Sequence, residues 1–156
     1  MIKDDELTLT RTNYTSNQLR IDGYYYQKLN NNFFSIYCFY RNGVLLATGG
    51  VFSSIQDMDK YLYDEFINRQ EYKNYKSNWG GFLIQGNSMK FERWYPSDPP
   101  LKAYVRAGTI LNDTTFIITE VYRMKDGSKT EVQTLNEIYH FKSFKPKPDS
   151  TNKFIN

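Results

Sequence analysis

The stretch over residues 79–144 constrains the fold most, because it has the pattern of five consecutive strands joined by short turns. Three two-residue turn signals lie within it, namely Gly86-Asn87, Asn112-Asp113 and Asp126-Gly127. A type I′ hairpin turn needs positive φ at both central residues, which Gly, Asn and Asp tolerate. A two-residue loop also fixes the register, since the residues on either side of it must pair. The stretch therefore predicts an antiparallel meander with defined faces.

The three turns predict opposing pairs that share one mostly apolar face, and such agreement is expected of a real fold. The predicted pairs are Phe82 with Phe91, Gly80 with Arg93, Ala107 with Ile118, Val105 with Glu120, Ile118 with Leu135, and Phe116 with Glu137. The expected inner face comprises Phe82, Ile84, Met89, Phe91, Arg93, Tyr95, Ala103, Val105, Ala107, Thr109, Phe116, Ile118, Glu120, Tyr122, Leu135, Glu137, Tyr139 and Phe141. The register across residues 96–101 (PSDPPL) stays open. The other parity would place Tyr104 and Arg106 on the face of Arg93.

Three strands are predicted before this meander, over residues 19–29, 33–40 and 44–52. Asn42-Gly43 lies between the last two and is the strongest hairpin signal in the chain. The expected pairs across that turn are Tyr40 with Leu45, Cys38 with Ala47, Ile36 with Gly49, and Phe34 with Val51. Both faces of this hairpin are apolar, so the pattern does not choose which one faces the interior.

One helix is predicted between the third and fourth strands. Ser54 is placed as its N-cap, with Asp57 three residues on. Apolar residues then recur at helical spacing and form one stripe, which consists of Ile55, Met58, Leu62 and Phe66. The helix is expected to end near Gln70.

The element order predicts a mainly β fold, an eight-stranded antiparallel up-and-down barrel with one helix between strands three and four. The barrel domain is expected over residues 19–144, between a flexible N-terminal tail (1–18) and a C-terminal tail (145–156). The longer connections collect at one end, which is the expected mouth because function concentrates on such loops. A barrel of this size is either filled by side chains or holds one small ligand.

Composition narrows the class of function. The net charge of +3 arises from 20 basic and 17 acidic residues that are interspersed, so we expect no nucleic-acid partner. No apolar run approaches the length of about 18 residues that a spanning helix needs, so no transmembrane segment is expected. The single cysteine excludes an internal disulfide. The Thr, Asn and Ser-rich start favours a cell-envelope or secreted protein whose signal peptide is absent from this chain, with the cytoplasm as the alternative.

The chain resembles the lipocalin-like barrels of the calycin type. The resemblance lies in the eight-strand order and in the opening Asp22-Gly23-Tyr24-Tyr25, which is similar to the Gly-x-Trp of that family with Tyr25 in place of Trp. Lys142 matches the basic residue that the family places against this aromatic. The resemblance implies a small bacterial envelope protein, such as a lipoprotein, that binds apolar or amphipathic molecules.

The candidate ligand site lies on the predicted inner face. There Arg93 would meet a polar or acidic head group, near Tyr95 and Tyr122, while small alanines leave room for an apolar body. Alternatively, Arg93 pairs with Glu120 inside a filled barrel, and the protein is a structural or interaction module. The candidate ligand-binding residues are Arg93, Tyr95, Phe91, Ala103, Ala107, Ile118, Glu120, Tyr122, Glu137 and Tyr139.

No constellation for catalysis, metal or cofactor is apparent in the sequence. His140, the only histidine, has the parity of the outer face, and Cys38 is expected to be a buried, inert thiol. Glu120 and Glu137 could act as an acid and base pair, but isolated acids on strands are more often structural. We therefore expect no enzyme, no cofactor and no metal. Trp79 and Trp94 predict either a contact patch for a partner or a plain cross-strand pair.

Overall fold

The computed structural model describes residues 3–155 and shows a closed barrel of eight antiparallel strands, each paired with its neighbours in chain order. The strands are β1 (Gly23–Lys28), β2 (Phe33–Phe39), β3 (Val44–Val51), β4 (Trp79–Gln85), β5 (Ser88–Trp94), β6 (Ala103–Asn112), β7 (Thr115–Lys125) and β8 (Ser128–Ser143). One α-helix, α1 (Ile55–Asp64), continues into a π-helical turn over Glu65–Arg69. The predicted eight-stranded barrel with a helix between strands three and four is therefore confirmed.

The helix α1 begins where the sequence predicts, because Ser54 caps it. The Ser54 hydroxyl accepts a hydrogen bond from the Asp57 backbone N–H at 3.1 Å, which satisfies one of the free donors of the first turn. Met58 and Leu62 are buried and, with Phe66, pack against the outer wall of the barrel. The predicted apolar stripe thus attaches the helix to that wall.

Apolar side chains form two cores, one inside the barrel and one between its outer wall and α1. The inner core includes Tyr25, Tyr37, Phe39, Phe82, Phe91 and Phe116. The outer core includes Tyr24, Phe34, Ile36, Leu46, Trp79 and Phe66. Strands β1 to β4 contribute to both cores, which explains why both faces of these segments are apolar in the sequence.

The hairpin at Asn42-Gly43 exists, but its loop contains three residues. Tyr40 and Val44 flank the loop, with the Tyr40 N–H donating to the Val44 carbonyl at 3.0 Å. Gly43 has a φ of +80°, as the third residue of such a loop requires. The register is therefore one residue away from the predicted one, and the observed pairs are Phe39 with Leu45, Cys38 with Leu46, Tyr37 with Ala47, Ile36 with Thr48, and Phe34 with Gly50.

Two of the three turns in the meander close as predicted. Gln85 pairs with Ser88 around Gly86-Asn87, and Lys125 pairs with Ser128 around Asp126-Gly127. The predicted pairs Phe82 with Phe91 and Gly80 with Arg93 are confirmed. The third turn is displaced by one residue, because Asn112 pairs with Thr115 and the loop is Asp113-Thr114.

Bulges change the faces of β6 and β7. In β6 the bulge lies between Ile110 and Asn112, whereas the displaced turn alone moves each pair by two residues and leaves the faces unchanged. Arg93 pairs with Tyr104 and Phe91 pairs with Arg106, which is the alternative parity across residues 96–101. In β7, Ile118 and Glu120 pair with consecutive residues of β6, so the residue between them is the extra one of a bulge. A one-residue slip turns every side chain of a strand to the other face. The predicted inner placement of β6 is therefore wrong.

The N-terminal residues also contact the barrel. We call residues 3–13 the N-terminal strap, since they cross the outer wall without forming a helix or strand. Residues 14–20 then cross the end of the barrel that carries the β2–β3, β4–β5 and β6–β7 turns, and they bond to each of these turns. The Tyr14 N–H donates to the Arg41 carbonyl, the Gln18 side-chain amide to the Gly86 carbonyl, and the Arg20 N–H to the Asp113 carbonyl. The sequence predicted a tail over 1–18, and the structure shows its described part packed on the barrel. Residues 1, 2 and 156 of the predicted tails lie outside the described residues.

The C-terminal segment is held by its own charged contacts. The Lys147 ammonium donates to the Ile21 and Phe39 carbonyls, and burial lowers the pKa of this amine. The Asp149 carboxylate accepts from Lys73 at 2.7 Å. Hydrogen bonds from Lys73 and Thr151 lower the pKa of Asp149 from 3.8 to about 2. The described C-terminal residues thus close the same end of the barrel from the outside.

Replacing Asp149 with asparagine is expected to remove a small, pH-dependent part of the stability. A depressed carboxyl pKa stabilises the folded state above about pH 4, and this contribution is lost as the pH falls through about 2. Urea unfolding should show the variant less stable than the wild type by up to about 1 kcal/mol at pH 6, since the pair is partly exposed. The two proteins should converge at pH 2. A difference that does not change between these pH values would contradict the assignment.

Candidate functional site

The site lies on the inner face of the barrel at the end opposite the β2–β3, β4–β5 and β6–β7 turns. The connections β1–β2, β3–β4, β5–β6 and β7–β8 meet at this open end. Because Arg93 and Phe91 pair with Tyr104 and Arg106, the strands β5 and β6 place two arginines on the same face. The Tyr95 N–H, directly after β5, donates to the carbonyl of Lys102, directly before β6, at 2.9 Å. Aromatic and cationic groups are thus brought together at the expected mouth.

Arg93 lies against two aromatic rings and is paired with no carboxylate of residues 3–155. Its guanidinium carbon lies 3.9 Å from the Tyr95 ring centre and 6.0 Å from that of Tyr37. Its Nη1 donates to the Ser77 carbonyl at 3.1 Å. Its Nε is buried and has no hydrogen-bond partner within the described residues. The charge of Arg93 is therefore compensated only by carbonyl dipoles and ring faces.

Arg106 belongs to a closed network beside Arg93. Its Nε donates to Glu137 Oε1 at 3.0 Å, and its Nη1 donates to the Tyr95 hydroxyl. The Tyr139 hydroxyl donates to the same Glu137 oxygen at 3.2 Å. Burial raises the pKa of Tyr139, so this phenol stays neutral. Arg106 and Glu137 neutralise each other, which leaves Arg93 as the excess positive charge of the cluster.

Aromatic rings fill the barrel below these polar groups. The Tyr37 ring centre lies 4.8 Å from that of Phe91 and 5.3 Å from that of Tyr139. Tyr139 stacks on Phe116 at 4.9 Å with an interplanar angle of 12°. These contacts form a continuous aromatic floor beneath the polar groups of the open end.

A cleft of about 230 Å³ opens beside Arg93 at the same end. The residues around it include Phe33, Ser35, Ala47, Gly49, Ser77 and Arg93. Phe33 pairs with Val51 at the rim, and both side chains are strongly exposed, at 40% and 69%. The cleft therefore has a cationic wall and an apolar edge.

Six of the ten candidate residues come together at the open end or on its floor, and they are Arg93, Tyr95, Phe91, Ile118, Glu137 and Tyr139. Their role as ligand-binding residues stays a prediction. Arg106 and Tyr37 belong to the same cluster but were missing from the candidates. The alternative parity across residues 96–101 would have placed Arg106 on the inner face. The three-residue loop at Asn42-Gly43 would have done the same for Tyr37, because it sets the register of that hairpin.

The other four candidates, Ala103, Ala107, Glu120 and Tyr122, face outwards. Glu120 pairs across the sheet with Ala107 and forms an ion pair with Lys129 at 3.2 Å. Tyr122 lies under the Lys129 ammonium, which is 4.4 Å from its ring centre. Their predicted inner placement is wrong because a bulge in β6, between Ile110 and Asn112, reverses the two alanines and the β7 bulge reverses Glu120 and Tyr122. The alternative pairing of Arg93 with Glu120 is wrong for the same reason.

The two residues that carry the lipocalin resemblance, Tyr25 and Lys142, do not form the expected pair. Tyr25 does lie in the inner core, where its hydroxyl donates to the Arg20 carbonyl at 2.7 Å. Lys142 instead bonds Asp59 of α1, which also accepts from the Tyr24 hydroxyl at 2.6 Å. At the end with the β2–β3, β4–β5 and β6–β7 turns, the Arg20 side chain lies over the ring of Phe141.

The remaining candidate features are structural in this fold. Trp79 and Trp94 are both buried, so the contact-patch hypothesis is wrong. Cys38 lies in the outer core, and burial raises its pKa to about 11. Within residues 3–155 no group of three His, Cys, Asp or Glu side chains is arranged to hold a metal ion.

Comparison of the chain with protein-family models, curated proteins and solved structures gives no significant match. The geometry itself defines the class of protein, a closed eight-stranded antiparallel β-barrel with one covering helix. This architecture is consistent with a lipocalin-like fold. None of the helices in the described part of the chain has the length and apolar character needed to cross a bilayer.

Proposed function

We propose that the protein binds, without catalysis, a small amphipathic molecule whose anionic head group lies against Arg93 at the open end of the barrel. The observation that carries this proposal is the guanidinium of Arg93, which has no carboxylate partner among the described residues, beside an open cleft. Arg93 is half-buried, and a cation partly removed from water without a paired carboxylate is costly unless another group meets it. A carboxylate, sulfonate or phosphate would supply that partner.

The filled interior limits how such a ligand is held. The cleft of about 230 Å³ lies slightly below the range of about 300–1,000 Å³ typical of small-molecule sites. The aromatic floor of Tyr37, Phe91 and Tyr139 prevents deeper entry. The apolar part of the ligand would therefore lie across the exposed edge formed by Phe33 and Val51. This arrangement favours a compact head group with a flat or short apolar body.

Replacing Arg93 with alanine is expected to weaken binding of an anionic amphiphile by about 10- to 100-fold, since hydrogen bonds to charged groups contribute about 1.5–3 kcal/mol. The probe is 1-anilinonaphthalene-8-sulfonate, titrated by its fluorescence. Lys90→Ala is the matched control, because it removes one cation from the exposed outer face of the same strand. Equal affinity of Arg93→Ala and the wild type would disprove the proposed site.

A second candidate function is a structural or protein-interaction module, and the aromatic packing inside the barrel favours it. Native mass spectrometry of the purified protein separates the two. A small molecule lost on denaturation supports the carrier, whereas a bound protein subunit with no small molecule supports the interaction module. An envelope or secreted location and a relationship to the lipocalins belong to the carrier proposal, and cell fractionation tests the location.

A further inference from the structure

A cavity of about 680 Å³ lies against the outer wall of the barrel, where the N-terminal strap and the C-terminal segment meet β4 and β5. We call it the outer cavity. Its volume falls within the range of about 300–1,000 Å³ typical of small-molecule sites, unlike that of the cleft beside Arg93. The residues that line the outer cavity include Leu7 and Leu9 of the strap, Gly81 of β4, Trp94 of β5, and Phe154 and Ile155 of the C-terminal segment.

The apolar side chains around the outer cavity are only partly covered by protein. Leu7 and Leu9 are half-buried and alternate with exposed residues along the strap. They pack into neither the inner nor the outer core of the barrel. Phe154 and Ile155 are also half-buried, and they reach the outer core from its edge. A molecule in the outer cavity would remove the remaining apolar surface of these four side chains from water, which favours binding.

The floor of the outer cavity has no side chain at Gly81, although the backbone does not require glycine there. The φ of Gly81 is outside the left-handed region, and a Cβ would lie 3.5 Å from the Arg11 side chain and 3.6 Å from the Gly43 carbonyl oxygen. These are ordinary contacts. At the neighbouring Gly80, by contrast, a Cβ would lie 2.1 Å from the Glu92 carbonyl oxygen. Glycine inside a strand marks a bulge, a bend or the close approach of a ligand or backbone. Because β4 and β5 pair in regular register here and the nearest backbone leaves room for a Cβ, a ligand is the explanation that fits Gly81.

The buried and half-buried acids of the outer cavity all have partners within the protein. Asp4 forms an ion pair with Lys76 at 3.0 Å, and Asp5 accepts two hydrogen bonds from the Arg123 guanidinium, at 2.7 and 2.6 Å. Glu92 is only 1% exposed, and its carboxylate accepts hydrogen bonds from the strap, two of them from backbone N–H groups at 2.6 and 2.8 Å. An ionised ligand would compete with these contacts and lose its own hydration. The outer cavity therefore favours an uncharged ligand.

We propose that the outer cavity is a second ligand site, which binds an uncharged and mostly apolar small molecule between the strap and the C-terminal segment. The ligand lies over Gly81 and contacts the leucines of the strap on one part of its surface and Phe154 and Ile155 on another. This inference goes beyond the proposed function. The two ligands differ in charge, and the lining of the outer cavity includes neither Arg93 nor the rim residue Phe33.

A fluorescence titration with N-phenyl-1-naphthylamine tests the site. This probe has the ring system of 1-anilinonaphthalene-8-sulfonate but lacks the sulfonate that Arg93 would bind. Phe154→Ala removes part of the apolar lining and is expected to weaken binding of the neutral probe by about 10-fold. Gly81→Val fills the floor with a residue that strands favour and should also weaken binding. Phe52→Ala is the matched control, because it removes another half-buried phenylalanine of the outer core that lies outside the cavity, and its affinity should equal that of the wild type.

The proposal is overturned if the wild type gives no fluorescence increase, or if Phe154→Ala and Gly81→Val both bind the probe as tightly as the wild type. If Gly81→Val does not fold, the comparison of Phe154→Ala with Phe52→Ala decides, since Phe154 lies outside the strands of the barrel. Arg93→Ala separates the two sites. It should bind the neutral probe with unchanged affinity and the sulfonate more weakly. Weaker binding of both probes to Arg93→Ala, with Phe154→Ala unaffected, would place both at the open end, which overturns the second site and supports the proposed function.

Discussion

Replacing Phe116 with alanine is expected to lower the free energy of unfolding by about 3–5 kcal/mol. Phe116 is 0% exposed and lies at the centre of the inner core. Its ring centre lies 5.2 Å from that of Tyr25 and 5.8 Å from that of Phe39, in addition to its stacking on Tyr139. Truncation removes buried apolar area and leaves a cavity that strands of a closed barrel cannot collapse to fill. Urea unfolding monitored by circular dichroism measures the loss.

The same variant tests whether the interior is filled. An apolar cavity stays dry and binds small apolar molecules. Benzene should therefore raise the melting temperature of Phe116→Ala and leave that of the wild type unchanged. Phe33→Ala is the matched control, since it removes the same ring from an exposed position of the rim and should change stability by less than about 1 kcal/mol. A loss below about 1 kcal/mol for Phe116→Ala would contradict a packed interior.

The strand order and the helix follow from the sequence because they depend on local chemistry. The Asp126-Gly127 turn requires positive φ at both residues, and the structure shows φ values of 51° and 79°. The Ser54 cap likewise depends on residues three positions apart. Such features are independent of the rest of the chain, so the barrel and its helix could be predicted without tertiary information.

The side of β6 that faces inwards could not be predicted with the same certainty. It depends on a bulge next to the turn, where Ile110 and Asn112 of β6 pair with the consecutive residues Phe116 and Thr115 of β7. The extra residue of that bulge turned Ala103 and Ala107 outwards and brought Arg106 beside Arg93. The predicted inward orientation of Arg93 is therefore confirmed and that of the β6 residues is wrong, while the role of the site stays a prediction.

The position of the N-terminal strap could not be predicted, because its polar sequence has no period. The pair of Asp5 with Arg123 exists only once β7 is placed, since the two residues meet through the fold and through no local pattern. Glu92 on β5 has the parity of the outer face, where a charged residue is expected to be solvated. Its burial under the strap is thus a tertiary effect.

Replacing Trp79 with alanine is expected to lower the free energy of unfolding by a similar amount, about 3–5 kcal/mol, through the outer core. Trp79 is 0% exposed and packs among residues of α1 and β1–β4, with its ring centre 6.0 Å from that of Tyr72. Its loss removes the largest side chain between the helix and the barrel wall. Hydrogen exchange should show faster exchange of the α1 amides than of the β5–β7 amides, in contrast to Phe116→Ala, which weakens the barrel itself.

Trp79→Phe is the matched variant for this position. The Trp79 indole N–H is buried without an acceptor within residues 3–155. A buried donor left unpaired costs about 1–3 kcal/mol, so phenylalanine removes this cost while it loses part of the apolar contact. The two effects oppose each other, and Trp79→Phe should stay within about 1 kcal/mol of the wild type in urea unfolding. If Trp79→Phe were instead as unstable as Trp79→Ala, the indole N–H would have an acceptor, such as a bound water, that stabilises the outer core.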